Sequence, residues 1–158
     1  MINFKVVYKV IGSLLFMEST LMFWCFVMAF FYHEDDTLAF LVSVLTTLFF
    51  GFLLHFMGRD ADNSMSRRDA YLVVTLSWII FSTFGTLPFT ISGYVDNFTD
   101  AFFETMSGFT TTGATVIDDV ERLPHGLLFW RSLTQWIGGL GIVFFTIAIL
   151  PSMTGGSV

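Results

Sequence analysis

The chain has 158 residues, 54% of them hydrophobic and only 13% charged, with a mean hydropathy of +0.74 and a formal net charge of −6. Soluble domains carry about 25% charged residues, so this composition excludes an ordinary water-soluble domain and points to a lipid bilayer. The 21 phenylalanines suit lipid-facing helices and give no support to barrel alternation, and a single cysteine, Cys25, excludes an internal disulfide.

Lys5 and Lys9 precede a first apolar span, Val10 to Tyr32, which is too long for a cleavable signal core and reads as a retained anchor helix. His33-Glu34-Asp35-Asp36 follow it. Basic residues favour the cytoplasm, so the N-terminus is expected inside and this acidic turn outside. Glu18 is the anomaly of the span, because an acid at a helix centre costs about 2.5–3.5 kcal/mol on insertion scales. It is expected to make a structural polar contact between helices. The second span covers Thr37 to Met57, with His55 near its inner end. A haem site would need a second histidine at matching depth, and His33 and His125 lie at the other side.

The segment Gly58 to Asp69, GRDADNSMSRRD, carries Arg59, Arg67 and Arg68 and reads as cytoplasmic. The interspersed Asp60, Asp62 and Asp69 argue against a nucleic-acid patch. It is the expected boundary between an N-terminal helix pair, residues 1–69, and a second unit, residues 70–158. The third span, Ala70 to Ser92, holds Pro88, which should kink or end the helix. Next comes NFTDAFFETMSGFTTTGATV, residues 97–116. Phe98 to Gly108 makes a helix of about 16 Å at 1.5 Å per residue, half of a hydrocarbon core about 30 Å thick. Asn97 or Thr99 can cap it, with Asp100 in the first turn. The acidic run from Ile117 to Arg122 returns to the outside, and Pro124 suits the first turn of a new helix. The fourth span runs from His125 to Leu150 and ends at Pro151. Its glycines Gly138, Gly139 and Gly141 let another backbone approach. It also contains Arg131 and Gln135; Arg131 can pair with a carboxylate such as Glu104 or reach the headgroup region, and the paired, structural reading is the expected one. Ser152 to Val158 looks like a turn before a further element.

The run Thr110-Thr111-Thr112-Gly113-Ala114-Thr115 is the candidate chemical centre. A cation crossing a bilayer exchanges its water shell for fixed oxygens, which a strand of aligned carbonyls supplies. Glycine permits the backbone angles that alignment needs, and the preceding helix aims its negative end at the same place. On this reading Thr111, Thr112 and Gly113 coordinate the ion through their carbonyls, while Thr110, Ala114 and Thr115 shape the strand. A Ser/Thr/Gly-rich outer loop is the other reading of the same residues.

FFETMSGFTTTGATV followed by LPHGLLFWRSLTQWIGGLGIVFFTIAILP resembles the first pore repeat of the Trk/Ktr-type bacterial potassium-uptake transporters, within them the TrkH-like membrane subunits. The resemblance is strong over Asp96 to Pro151. It implies an all-α polytopic membrane protein: two N-terminal transmembrane helices, then one helix–pore-loop–helix repeat of a potassium-channel-like fold. Its pore helix is 98–108 and its filter 110–115. It further implies potassium as the transported ion, no enzymatic chemistry and no organic cofactor. The implied place is the bacterial inner membrane, with lipid around the apolar faces; the sidedness of the charges sets both termini in the cytoplasm. The implied partners are a second copy in a homodimer and a cytosolic nucleotide-binding regulatory subunit. The family places four such repeats around one pore. This chain carries one, so the others come either from further chain or from assembly of identical chains. The competing class is a non-conducting membrane scaffold or sensor.

Overall fold

A computed structural model describes residues 3–61 and 66–154. Six α-helices follow one another: α1 (Phe4–Tyr32), α2 (Thr37–Met57), α3 (Arg67–Gly85), α4 (Leu87–Ser92), α5 (Phe98–Phe109) and α6 (His125–Thr154), with one 3-10 turn at Val120–Arg122. Among the described residues, Phe4–Tyr32, Thr37–Met57 and Arg68–Ser92 are long and apolar enough to cross a membrane. The third of these runs through α3 and α4 as one interrupted span.

The helix bounds differ from expectation for identifiable reasons. α1 starts at Phe4, six residues before the apolar run, because hydropathy locates lipid while helix needs only backbone bonding; Lys5 and Lys9 continue it. α3 opens on a capping box: Ser66 accepts from the Asp69 amide, and the Asp69 carboxylate accepts from the Ser66 amide at 3.0 Å. The other Asp69 oxygen accepts from the Asn3 amide at 3.0 Å, which ties the start of α1 to the start of α3. Pro88 breaks the third span as expected, with the interruption at Thr86. The Gly85 carbonyl at the break accepts from Trp130 Nε1 at 3.0 Å. α6 continues through Pro151 to Thr154, past the expected stop. Residues 62–65, in the middle of the Gly58–Asp69 segment, and 155–158, the end of the expected turn, lie outside the described residues.

α1 and α2 form a tight antiparallel hairpin. A Cβ on Gly12 would stand 2.5 Å from the His55 amide nitrogen, and one on Gly58 the same distance from that of Lys9. Small residues let membrane helices approach to backbone contact. The other side of α1 packs on α3 and α6 around buried Leu15, Met22, Phe89, Phe109, Leu127 and Trp130.

The acidic turn after α1 does more than mark a side. Glu34 accepts from the His125 amide and from His125 Nδ1, both at 2.7 Å, and Asp36 accepts from the Leu127 amide at 3.1 Å. Two carboxylates thus satisfy free amides at the α6 N-terminus, where the helix dipole favours them. Tyr32 stacks on the His125 ring at 4.1 Å. Burial, with Glu34 alongside, pushes the Asp36 carboxyl above its usual value. Pro124 stands just outside α6, its carbonyl accepting from Leu128 at 2.9 Å.

Candidate functional site

α5 is a 12-residue helix, about 18 Å at 1.5 Å per residue. Asn97 occupies its N-cap position, but its side chain donates to Asp100 at 3.3 Å and does not cap; Thr99 lies inside the helix. At the other end the chain leaves the helix in an ordered loop. The amides of Thr111 and Thr112 donate back to the carbonyls of Gly108 and Ser107, each at 2.9 Å, and the Gly113 amide approaches Ser107 O at 3.5 Å. Thr111 and Gly113 hold φ of 56° and 75°. Glycine takes this left-handed conformation at no steric cost, whereas threonine does not.

The direction of these amides decides where the carbonyls point. In a trans peptide, the N–H of one residue and the C=O of the residue before it are opposed. Amides 111, 112 and 113 face the α5 C-terminus, so the carbonyls of Thr110, Thr111 and Thr112 face away from it. The loop residues Thr110 to Thr115 are all exposed on this chain. The Thr110 carbonyl accepts from the Thr111 hydroxyl at 2.7 Å. The Ala114 carbonyl turns the other way and accepts from the Ser107 hydroxyl at 2.7 Å. Thr110 Oγ1 bonds to Met106 O at 2.7 Å and lies 2.9 Å from Thr112 Oγ1.

The returning chain is fastened by Glu104. One carboxylate oxygen accepts from the Thr115 hydroxyl and from the Val116 amide, the latter at 2.6 Å. The other meets Arg131 Nε at 3.3 Å. One buried carboxylate therefore joins α5, the loop return and α6, and the expected Glu104–Arg131 pair is present. Gln135 is half-buried and, among the described residues, takes no part in these hydrogen bonds.

Glu18 departs from expectation. It is buried on α1, and neither carboxylate oxygen has a hydrogen-bond partner among the described residues. It sits beside Gly85, whose Cβ would stand 3.4 Å from Glu18 Oε1. That same Cβ would also meet the Thr105 methyl and a Phe109 ring carbon. Replacing an unsatisfied buried polar group by an apolar one of like shape is neutral or stabilising. Glu18→Met is accordingly expected to keep or raise the thermal midpoint of the detergent-purified protein. A clear drop would mean that the carboxyl has a stabilising partner.

Ser107, Trp130 and Gly138 were not singled out for the loop from the sequence. Glu104 and Ser107 share a helix face at i, i+3, the one periodic signal that could have pointed to Ser107. Gly138 packs against the backbone of Phe109: its Cβ would stand 2.6 Å from the Phe109 carbonyl carbon.

Three helices long and apolar enough to cross a membrane, with a short helix and an exposed loop packed among them, define a multi-span integral membrane protein. The family model for TrkH, a cation transport protein, matches residues 37–158. The chain is 36% identical over 157 residues to the Trk system potassium uptake protein TrkH of Vibrio parahaemolyticus, covering 99% of this chain and 32% of that one. The Escherichia coli K12 protein of the same name is 34% identical with the same coverage. The crystal structure of the potassium transporter TrkH from Vibrio parahaemolyticus superposes with a TM-score of 0.90 at 35% identity, covering 99% of this chain and 34% of that one. The chain belongs to the TrkH family, a family of transport proteins and not of enzymes. It spans about a third of the length of the curated relatives it matches.

Proposed function

We propose that residues 110–115 form one wall of a potassium-selective filter, and that this chain supplies one of four pore repeats for potassium uptake across a bacterial inner membrane. The observation that carries the reading is the common direction of the Thr110, Thr111 and Thr112 carbonyls, away from α5 and onto an exposed face. Carbonyls so presented replace the water shell of a weakly hydrated monovalent cation. Thr111 and Thr112 are the free coordinating groups, with Gly113 completing the run. The α5 C-terminus behind them adds the negative end of its dipole.

On this reading residues 1–69 are an accessory helix pair and residues 70–158 the repeat. One wall needs three more, from further chain or from identical copies. Arg59, Arg67 and Arg68 favour a cytoplasmic Gly58–Asp69 segment, which sets both termini inside and the loop mouth outside. The relatives named above are potassium uptake proteins, which supports potassium as the ion; a homodimer of the complete protein and a cytosolic nucleotide-binding subunit are the partners that the sequence resemblance implies.

Gly113→Asp tests the filter. An acid at a left-handed position strains the backbone and adds a charge beside the carbonyls, so uptake by the assembled protein is expected to lose most of its preference for K⁺ over Na⁺. An unchanged preference in that variant would refute the assignment.

A further inference from the structure

We propose that Ser107 determines which loop carbonyls face the ion, acting as a positioning residue for selectivity. The inference rests on the filter reading above and deepens it.

A serine or threonine hydroxyl inside a helix ordinarily bonds back to its own helix, at the carbonyl four residues earlier. Thr105 does so onto Ala101 and Thr110 onto Met106, each at 2.7 Å. Ser107, between them and buried, does not. Its single O–H is turned out of the helix onto the Ala114 carbonyl at 2.7 Å, seven residues on. Its own carbonyl meanwhile receives the Thr112 amide at 2.9 Å and that of Gly113 at 3.5 Å. The two halves of one residue thus act in opposite senses. The Ser107 carbonyl draws amides inward and so sends the Thr111 and Thr112 carbonyls outward. The Ser107 hydroxyl draws the Ala114 carbonyl inward and ends the outward run there.

A hydroxyl has one proton to donate, so nothing else on Ser107 can do this once the O–H is lost. The Ala114 carbonyl, on an otherwise exposed residue, would then be free to swing toward the path. It would add an oxygen that the other carbonyls are not spaced to match. Selectivity depends on the number and field of coordinating carbonyls or on the size of the cavity they make, and either account makes an extra mobile oxygen harmful.

The test compares Ser107→Ala, Ser107→Thr and Ser107→Cys in the assembled transporter, with K⁺ and Na⁺ uptake each normalised to protein amount. Ser107→Ala is expected to lower the K⁺-over-Na⁺ ratio several-fold. Ser107→Thr, which keeps the hydroxyl, should restore it. A purely structural role would lower both uptakes together and leave the ratio alone. Should the alanine variant fail to accumulate, Ser107→Cys carries the test, because a thiol fills the space but is a weak donor. A ratio unchanged at position 107, in a protein whose ratio falls with Gly113→Asp, overturns the role of Ser107 and leaves the filter standing. A ratio unchanged by both overturns the filter reading itself.

Discussion

Glu104→Ala is expected to cost about 3–5 kcal/mol, the range for removing one partner of a buried ion pair. It should appear as a steep fall in the thermal midpoint of the detergent-purified protein, with loss of uptake. The carboxylate is fully buried, and it serves three donors on two other segments: the Thr115 hydroxyl, the Val116 amide and Arg131 Nε. Alanine leaves Arg131, which is mostly buried, without its counter-charge, and frees the returning chain from α5. Glu104→Gln should fall less far, since its amide oxygen can still accept from Thr115 and Val116, while the charge and the acceptor facing Arg131 are lost. The two variants therefore order as wild type, Gln, Ala. Equal damage from both would assign the whole effect to charge, and a mild alanine phenotype would show that the loop return holds without this carboxylate.

The pair at the centre of that prediction was legible because charges are scarce in this chain. An arginine in an apolar span needs a carboxylate, and Glu104 was the one within reach on the neighbouring half-helix. The α2 bounds, Thr37–Met57, were readable for a similar reason, with polar residues on both flanks of an unbroken apolar run. α1 and α3 were placed too short because Lys5, Lys9, Arg67 and Arg68 mark the edge of lipid and not the edge of helix. Ser107 and the carboxylates of Glu34 and Asp36 gave no such signal. Each has a backbone partner, 7 or 91 residues away, and a backbone amide or carbonyl is the same at every position in a sequence. Glu18 failed in the opposite direction. Its chemistry called for a partner, and neither carboxylate oxygen has one among the described residues.

The glycines of α6 separate in the same way, and they give the second large effect. Read from sequence, Gly138, Gly139 and Gly141 are one small-residue patch. In the structure their surroundings differ. A Cβ on Gly138 would collide with the carbonyl of Phe109, the last residue of α5, standing 2.6 Å from its carbonyl carbon and 2.9 Å from its Cα. A Cβ on Gly139 would meet only the Thr111 methyl, at 3.8 Å, an ordinary contact. The obstacle at Gly138 is backbone on both sides, so no side chain can rotate out of the way. Gly138→Ala should thus push α6 off the end of α5, at about 1–3 kcal/mol for overpacking, and Gly138→Val should cost more. The displaced residue immediately precedes Thr110, so the loop moves with it, and the K⁺-over-Na⁺ ratio should fall along with the thermal midpoint. Gly139→Ala, one residue away, removes a flexible glycine from a helix interior and should be neutral or stabilising by up to about 1 kcal/mol. If the two alanine variants behave alike in both measurements, the close approach of α6 to Phe109 does not hold the loop, and the support for its carbonyls must be sought in Glu104 and Ser107 alone.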